Sequence, residues 1–231
     1  LVNNSIESRS MFDGAVWKKL VANTKEHDST LHFIGLLSDG NVHSHINNLK
    51  AMVTEAKAEG VKRVRIHALL DGRDVGELSA LDYFLPFEAF LSSLNDADFD
   101  ARIASGGGRM VITMDRYNAN WNMVKRGWET HVLGEGRLFD SAQDAIETLR
   151  AETGAIDQDL PPFVIAEDGK PVGTIEDGDS VILFNFRGDR ALELTKAFEA
   201  EELAEFDRKR YPAVEYAGMM EYDGDLHVPK Q

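Results

Sequence analysis

Residues 64–75 have the sequence VRIHALLDGRDV, and this stretch indicates how the chain folds. Apolar side chains at the even positions of its first half fall on one face of an extended chain, a period of two that predicts a β-strand. The Asp-Gly pair at 71–72 is a turn signal, and it places Arg73 and Asp74 side by side just beyond the strand. Because ligand sites in α/β sheets lie outside the carboxyl ends of strands, these two side chains form either part of a binding site or a salt bridge within a loop.

Other segments of strand length flank this one on both sides. They are residues 31–37, 100–104, 163–165, 171–175, 180–186 and 214–220. The segments at 31–37 and 180–186 are dense in apolar residues, as expected for strands covered on both faces of a sheet. The Asp168-Gly169 pair predicts a hairpin turn between the two segments that flank it.

Segments with apolar residues at helical spacing alternate with these strands. They are residues 11–21, 46–56, 78–94, 117–132, 140–151 and 191–200. This alternation, with one hairpin, favours an α/β fold, a layered α/β/α domain with a mixed, mostly parallel sheet. We detect no fixed-period repeat and no interior linker, so the sequence predicts one domain over residues 1–231.

Composition narrows the classes of function. A net charge of −15 argues against a nucleic-acid partner, because phosphate contacts need a basic surface. The absence of cysteine excludes disulfides and thiolate zinc sites, and it fits a cytoplasmic protein. No apolar run approaches the ~18 residues of a membrane span, and the N-terminus has no signal-peptide pattern. The chain begins at Leu1 without a methionine, and we interpret it as a segment of a longer protein.

Polar loops that contain glycine follow four of the predicted strands, at 38–45, 71–74, 105–116 and 187–190. Their basic side chains are Arg73, Arg109, Arg116, Arg187, Arg190, His43 and His45. Arginine binds phosphate and carboxylate oxygens two at a time, and neighbouring glycines let backbone amides approach an anion. The sequence therefore predicts a site for a small anionic molecule, although each loop alone is also explained by local ion pairs or a flexible turn.

His43 and His45 also permit a second hypothesis. Two histidines one residue apart after a strand can bind a metal ion, with Asp39, Asp71 or Asp74 completing the ligand set. A loop histidine can equally bind an anion or cap the helix that follows. No Gly-x-Ser-x-Gly elbow or other nucleophile signature occurs, so the sequence gives no support for covalent serine catalysis within this chain.

Five motifs occur in a fixed order and together identify a family. They are GLLSDGNVHSH at 35–45, DGRD at 71–74, SGGGRM at 105–110 with MDR at 114–116, VLGEG at 132–136, and FNFRGDR at 184–190. In this order they resemble the substrate-binding domain of cofactor-independent phosphoglycerate mutase, and the resemblance covers nearly the whole chain.

The resemblance implies an enzyme of glycolysis and gluconeogenesis that interconverts 3-phosphoglycerate and 2-phosphoglycerate. It implies two domains in the intact protein. A phosphatase-like domain carries a serine nucleophile and two metal ions, usually manganese, and an inserted domain holds the glycerate. This chain resembles the inserted domain alone, with residues 1–10 and 221–231 as linkers toward the other domain. The isolated chain is therefore expected to be inactive.

Matched position by position to the family, seven residues are implied to contact the substrate. They are His43, Arg73, Asp74, Arg109, Arg116, Arg187 and Arg190. Asp74 matches the carboxylate that takes and returns the proton of the glycerate hydroxyl. This role is chemically reasonable, because a hydroxyl that attacks phosphoserine needs a nearby base and a doubly anionic substrate needs fixed cations.

The remaining expectations concern cofactors and partners. The resemblance implies two Mn²⁺ ions bound by the other domain, none bound by this chain, and no requirement for 2,3-bisphosphoglycerate. We expect a cytoplasmic monomer with no membrane or nucleic-acid partner. Two other functions remain open at this point: a His/Asp metal-dependent hydrolase built on His43 and His45, and a non-catalytic anion-binding module.

Overall fold

A computed structural model of the protein describes residues 10–40, 46–113, 121–185 and 191–219. The α-helices in these ranges are α1 (Ser10–Asp13), α2 (Ala15–His27), α3 (Ile46–Ala58), α4 (Ala80–Leu94), α5 (Trp121–Gly127), α6 (Ala142–Thr153) and α7 (Leu192–Glu199). A π-helix (Trp128–Val132) continues α5, and a 3₁₀-helix (Asp157–Asp159) follows α6. The predicted linkers lie outside the described ranges apart from Ser10, the first residue of α1.

The strands form one sheet. They are β1 (Thr30–Leu36), β2 (Arg63–Leu70), β3 (Asp100–Gly108), β4 (Leu138–Phe139), β5 (Phe163–Glu167), β6 (Lys170–Pro171), β7 (Ser180–Leu183) and β8 (Glu215–Gly218). Their order is β4-β5-β3-β2-β1-β7-β8, with β6 paired to β5. The pairs are parallel except β3 with β5 and β5 with β6. The predicted mixed, mostly parallel sheet is therefore confirmed.

Helices cover both faces of this sheet. Helices α2, α3, α4 and α6 bury one face, where Phe33 and Ile66 belong to the larger hydrophobic core. Helices α5 and α7 and the π-helix bury the other face, where Ile34 and Leu69 belong to a second core. Both alternating sets of β2 side chains are buried, because each face of this central strand lies under helices. The layered α/β/α prediction is correct.

The glycine-rich segment after residue 104 was expected to be a loop, and this expectation is wrong. Residues 105–108 are the last part of β3. A Cβ atom on Gly106 would lie 2.5 Å from the carbonyl oxygen of Ala68, and one on Gly108 would clash with the backbone of Gln158. Glycine is required here because neighbouring backbone approaches the strand too closely for a side chain.

The helix expected over residues 117–132 is α-helical only in part, and residues 114–120 lie outside the described ranges. After α5 the backbone widens into the π-helix, closed by a hydrogen bond from Leu133 N–H to Trp128 O at 3.2 Å. The wider turn directs Trp128 and His131 into the interior, where both are buried. Trp128 is thus a core residue. Among the described helices, none combines the length and the apolar character needed to cross a lipid bilayer.

A row of polar side chains runs through the second core, starting at the amino end of β7. The carboxylate of Asp179 lies 2.8 Å from His32 Nε2 in β1. The other ring nitrogen of His32 lies 2.9 Å from His67 Nε2 in β2. All three side chains are buried, so this polar contact is shielded from water.

The row continues from β2 through β3 to the π-helix. His67 Nδ1 lies 2.6 Å from the hydroxyl of Ser105, and that hydroxyl lies 2.6 Å from His131 Nδ1. His131 Nε2 lies 2.6 Å from the hydroxyl of Thr113, which is also buried. We call the six residues the histidine chain. They are Asp179, His32, His67, Ser105, His131 and Thr113.

The buried histidines should make the fold sensitive to mild acid. Burial lowers the pKa of His131 to about 3, and it also lowers the pKa of His32 and His67. Below pH 6.5 the unfolded chain binds protons on these rings that the folded chain does not, so stability falls as the pH drops. For His131 alone the expected loss between pH 7.5 and pH 5 is about 2 kcal/mol, checked by urea unfolding at the two pH values.

A His27→Gln variant is the matched control for this experiment, because His27 is exposed on α2 and lies outside the histidine chain. Its loss of stability between the two pH values should equal that of the unaltered chain. Equal stability of the unaltered chain at pH 7.5 and pH 5 would contradict the prediction.

An arginine and carboxylate cluster at the strand ends

The candidate functional site lies at the carboxyl edge of the central parallel strands. Ser38 follows β1, Asp71 and Asp74 follow β2, and Arg109 follows β3. We call these four residues the Asp71 cluster. In the sheet, β2 lies on one side of β1 and β7 lies on the other, so the strand order reverses at β1. In α/β sheets, ligands bind in the crevice that such a reversal opens at the carboxyl ends of the strands.

Asp71 organises the turn that follows β2. Its Oδ1 atom accepts hydrogen bonds from the backbone N–H groups of Arg73 at 3.2 Å and Asp74 at 2.9 Å. Aspartate commonly closes turns in this way. Its Oδ2 atom accepts a hydrogen bond from the hydroxyl of Ser38 at 2.6 Å, which ties the loop after β1 to the loop after β2.

Arg109 holds the two carboxylates together. One nitrogen, Nη1, lies 2.8 Å from Asp71 Oδ1 and 3.0 Å from Asp74 Oδ2. Burial by itself raises the pKa of Asp71, but the hydrogen bonds from Ser38 and Asp74 N–H and the positive charge of Arg109 outweigh it. The net result is a pKa of Asp71 below its ordinary value. The Asp71 carboxylate is therefore a charged, structural anchor.

Asp74 is the more accessible carboxylate of the cluster. Its side chain is 18% exposed, whereas the side chains of Arg109 and Asp71 are 3% and 2% exposed. Close packing sets its position, since a Cβ atom on Gly40 would lie 2.8 Å from Asp74 Cβ. A ligand that enters this edge of the sheet can thus reach Asp74, while Asp71 is enclosed by protein.

Arg73 is placed differently from its sequence neighbour. Its guanidinium group is exposed and forms a 3.6 Å hydrogen bond to Met110 Sδ. Among the described residues it forms no ion pair, so the loop salt bridge between Arg73 and Asp74 is absent there. Among the described residues, the arginine that pairs with Asp74 is Arg109, which lies 35 residues away along the chain.

One donor of the cluster lacks a protein acceptor in the described part of the chain. Arg109 Nε is buried and has no hydrogen-bond partner there. A buried donor without an acceptor is unfavourable by about 1–3 kcal/mol. An oxygen atom of a bound ligand at Nε would relieve this cost.

The structure brings three of the predicted site residues to one edge of the sheet: Arg73, Asp74 and Arg109. The other four lie outside the described residues: His43, Arg116, Arg187 and Arg190. His45, proposed with His43 as a metal ligand, also lies outside them. Within the described ranges, no group of three His, Asp or Glu side chains could hold a metal ion.

Sequence reasoning missed the structural role of Asp71 and Ser38. Asp71 was noted as a turn residue and a possible metal ligand, but its carboxylate contacts both an arginine and a serine from other loops. The available signal was an aspartate directly after a buried strand and three residues before a second aspartate. The contact with Ser38 spans 33 residues and has no signature in the sequence.

Comparison with known proteins gives a consistent answer. Residues 2–224 match the family model described as BPG-independent PGAM N-terminus. A probable 2,3-bisphosphoglycerate-independent phosphoglycerate mutase of Leptospira interrogans is 58% identical over all of this chain, which covers 42% of that protein. The corresponding phosphoglycerate mutase of Trypanosoma brucei brucei is 52% identical, with 99% of this chain and 42% of that protein covered.

A solved structure agrees with these relatives. The crystal structure of Leishmania mexicana phosphoglycerate mutase at low cobalt concentration superposes with a TM-score of 0.98 at 49% identity. The match covers 100% of this chain and 42% of that one. The chain thus spans about two-fifths of the length of the relatives that it matches. On the family model and these relatives together, the chain belongs to the BPG-independent PGAM N-terminus family.

Proposed function

We propose that this chain is the glycerate-binding domain of a phosphoglycerate mutase that interconverts 3-phosphoglycerate and 2-phosphoglycerate. In this proposal the phosphoryl group is carried by a serine on a phosphatase-like domain of the same complete protein. The observation that carries the proposal is the accessible Asp74 carboxylate, held by the buried Arg109 at the strand ends of a chain from this family. The names of the relatives support it.

Asp74 is the proposed general base. A glycerate hydroxyl that attacks a phosphoserine must lose its proton, and a carboxylate within hydrogen-bond distance can take it and later return it. Asp74 is fixed by its backbone hydrogen bond to Asp71 and by Arg109, so little reorganisation is needed when the substrate enters. Its partial exposure leaves room for the substrate oxygen.

The proposed anion contacts come from arginine. Arg73 offers an exposed guanidinium group with no ion pair among the described residues, and Arg109 offers the buried Nε donor without an acceptor there. Guanidinium groups suit carboxylate and phosphoryl oxygens, and fixed positive charge stabilises a phosphoryl group in transfer. His43, Arg116, Arg187 and Arg190 are proposed to complete the site.

The chemistry of the Asp71 cluster does not suit a divalent metal ion. Its two carboxylates already share one guanidinium group, which neutralises charge where a metal would bind. We therefore assign the two proposed Mn²⁺ ions to the phosphatase-like domain and derive no step of this chain through them. Independence from 2,3-bisphosphoglycerate is stated in the family description.

The wider setting is also a proposal. The partners are the phosphoglycerates and the phosphatase-like domain, with no nucleic acid and no membrane. The protein acts as a cytoplasmic monomer in glycolysis and gluconeogenesis. The net charge of −15 supports the exclusion of nucleic acid, because a phosphate backbone is repelled by such a surface.

An activity comparison tests this proposal. The complete protein that contains this chain should interconvert the two phosphoglycerates without added bisphosphoglycerate, in an assay that couples 2-phosphoglycerate to enolase. Residues 1–231 alone should show no turnover above buffer, because the nucleophile is absent. Turnover by residues 1–231 would refute the assignment of the nucleophile to the phosphatase-like domain. Phosphoglycerate binding without turnover by the complete protein would favour the non-catalytic anion-binding module.

A further inference from the structure

We propose that the histidine chain is an ordered series of hydrogen bonds that holds Thr113 and, through it, the turn that carries Arg109. His131 is the positioning residue in this series. The effect on catalysis rests on the proposed function, whereas the order of the protons does not. The direction of the hydrogen bonds is set at Asp179.

Asp179 accepts hydrogen bonds on both of its oxygens. Oδ1 accepts from the backbone N–H of Thr30 at 3.0 Å, and Oδ2 accepts from the backbone N–H of Glu176 at 2.9 Å. A carboxylate oxygen that already accepts a backbone N–H can only accept from a further donor when the group is charged. His32 Nε2, 2.8 Å from Oδ2, must therefore carry a proton and donate it.

This assignment fixes the next two partners in turn. Neutral imidazole has one donor and one acceptor nitrogen, so His32 Nδ1 accepts from His67 Nε2–H. His67 Nδ1 is then an acceptor, and the hydroxyl of Ser105 donates to it. The donor and the acceptor nitrogen of both rings between Asp179 and Ser105 are therefore assigned. The reverse direction would place a nitrogen lone pair against the Asp179 carboxylate.

The far end of the series follows from Ser105. Its oxygen is free to accept from His131 Nδ1–H, which leaves His131 Nε2 as the acceptor for the hydroxyl of Thr113. All five hydrogen bonds are satisfied with three neutral rings. The direction of the hydrogen bond from the Thr113 hydroxyl to His131 is thereby set by the carboxylate at the other end of the series, Asp179.

Two irregularities of the backbone bring these groups into line. The register of β2 and β3 shifts after Ile66, so that Ser105 rather than Ala104 stands opposite His67. The π-helix turns His131 inward. Bulges and π-turns interrupt regular hydrogen bonding and are often found where a side chain must be directed to a functional site. Here each irregularity supplies one member of the histidine chain.

Thr113 gains from this anchoring because its backbone is unfavourable. Its φ angle is 82°, which is rare for a β-branched residue. Its N–H donates to Met123 O at 2.7 Å, and its Cα would lie 2.5 Å from a Cβ atom on Gly127, so Gly127 gives it room. His131 holds the side chain in this conformation.

The turn that ends at Thr113 begins at Arg109. Arg109 N–H donates to Leu70 O at 3.1 Å, and Val111 N–H donates to Gly108 O at 3.0 Å. The turn is thus tied to the sheet at its start, to Gln158 O through the N–H of Met110 at 2.9 Å, and to Met123 O and His131 at its end. Loss of the hydrogen bond to His131 should loosen the end of this turn and let Arg109 move relative to Asp74, since only a few residues separate Thr113 from Arg109.

The first experiment measures the order of the protons in the unaltered complete protein. Nitrogen-15 NMR of labelled histidine should find the proton on Nε2 of His32 and His67 and on Nδ1 of His131. A His131 ring with its proton on Nε2 would overturn the proposal, because Thr113 could not then donate to it. This result is independent of mutase activity.

The second experiment measures kinetics in the complete protein. Thr113→Val removes the hydroxyl at nearly constant volume and should lower kcat by roughly 10-fold or more with a smaller effect on KM, as expected for a misplaced catalytic group. Thr113→Ser keeps the hydroxyl and should retain kcat within about twofold. Thr195→Val is the matched control, since Thr195 is fully buried and its hydroxyl contacts Tyr216 outside the histidine chain.

The outcomes separate the two proposals. Equal kcat values for Thr113→Val and Thr195→Val would overturn the positioning role even if the complete protein is an active mutase. The predicted proton positions in a complete protein without mutase activity would support the ordered series and refute the proposed function. A kcat that is retained in Thr113→Ser and lowered in Thr113→Val supports the positioning role.

Discussion

An Asp74→Asn variant of the complete protein is expected to lose about 10²- to 10⁴-fold in kcat, the usual contribution of a general base. Asparagine keeps the shape of the side chain and can still accept a hydrogen bond from Arg109, but its amide cannot take a proton from the glycerate hydroxyl. KM should change much less, because the proposed anion contacts come from arginine. Steady-state kinetics in the forward direction, with both constants measured, check this result.

The control for this variant is Asp82→Asn. Asp82 is an exposed carboxylate in the first turn of α4 and does not belong to the Asp71 cluster. Its removal changes the net charge by the same amount and should leave kcat unaltered. If Asp74→Asn keeps kcat within a few-fold of the unaltered protein, the base lies elsewhere and the role of Asp74 is only to orient Arg109.

Replacing Arg109 by methionine is expected to lower the free energy of unfolding of this chain by about 3–5 kcal/mol. The cause is the Asp71 carboxylate, which is 2% exposed and would remain buried without its counter-charge. Methionine fills much of the space of the arginine stem, so the loss reports charge more than packing. Urea unfolding at pH 7.5 measures it.

Arg102→Met provides the comparison. The Arg102–Glu167 pair has a similar 2.9 Å separation but is 29% and 68% exposed, and such pairs contribute only about 0–1 kcal/mol. A second test combines Arg109→Met with Asp71→Asn, which removes the unpaired charge and should recover part of the lost stability. Strictly additive effects of the two changes would show that Arg109 and Asp71 do not interact.

Much of the fold follows from local patterns. The alternation at 64–70 predicted β2, and the apolar runs at 31–37 and 180–186 predicted β1 and β7. The Asp168-Gly169 hairpin is confirmed, because both residues adopt positive φ angles, 53° and 77°, that suit this pair. These features depend on residues that are close in the sequence, and sequence patterns record such contacts well.

Other features of the fold depend on contacts with segments that are distant in the sequence. Glycine marks a true turn at Gly72, where φ is 59°, but marks close approach of a neighbouring strand at Gly106. The two uses are alike in the sequence. Similarly, nothing at Trp128 distinguishes a π-turn from an α-turn, and the two-residue strand β4 is too short to show a period. These elements are decided by tertiary packing.

The candidate site divides in the same way. The idea that basic and acidic side chains collect at strand ends came from the sequence, and Asp74 and Arg109 do meet there. The sequence did not indicate which arginine contacts Asp74. The neighbour in the sequence, Arg73, contacts Met110 instead. The anchoring role of Asp71 has no local pattern in the sequence, since three segments of the chain supply its partners.

The position of β7 beside β1 has a consequence for synthesis on the ribosome. His32 leaves the exit tunnel well before its partner Asp179, which lies 147 residues later. At roughly 5–20 residues per second, the interval is on the order of 10 s. During this time the free edge of β1 lacks its partner strand and His32 lacks its carboxylate. The central sheet and the buried contact of His32 can therefore be completed only after β7 has emerged.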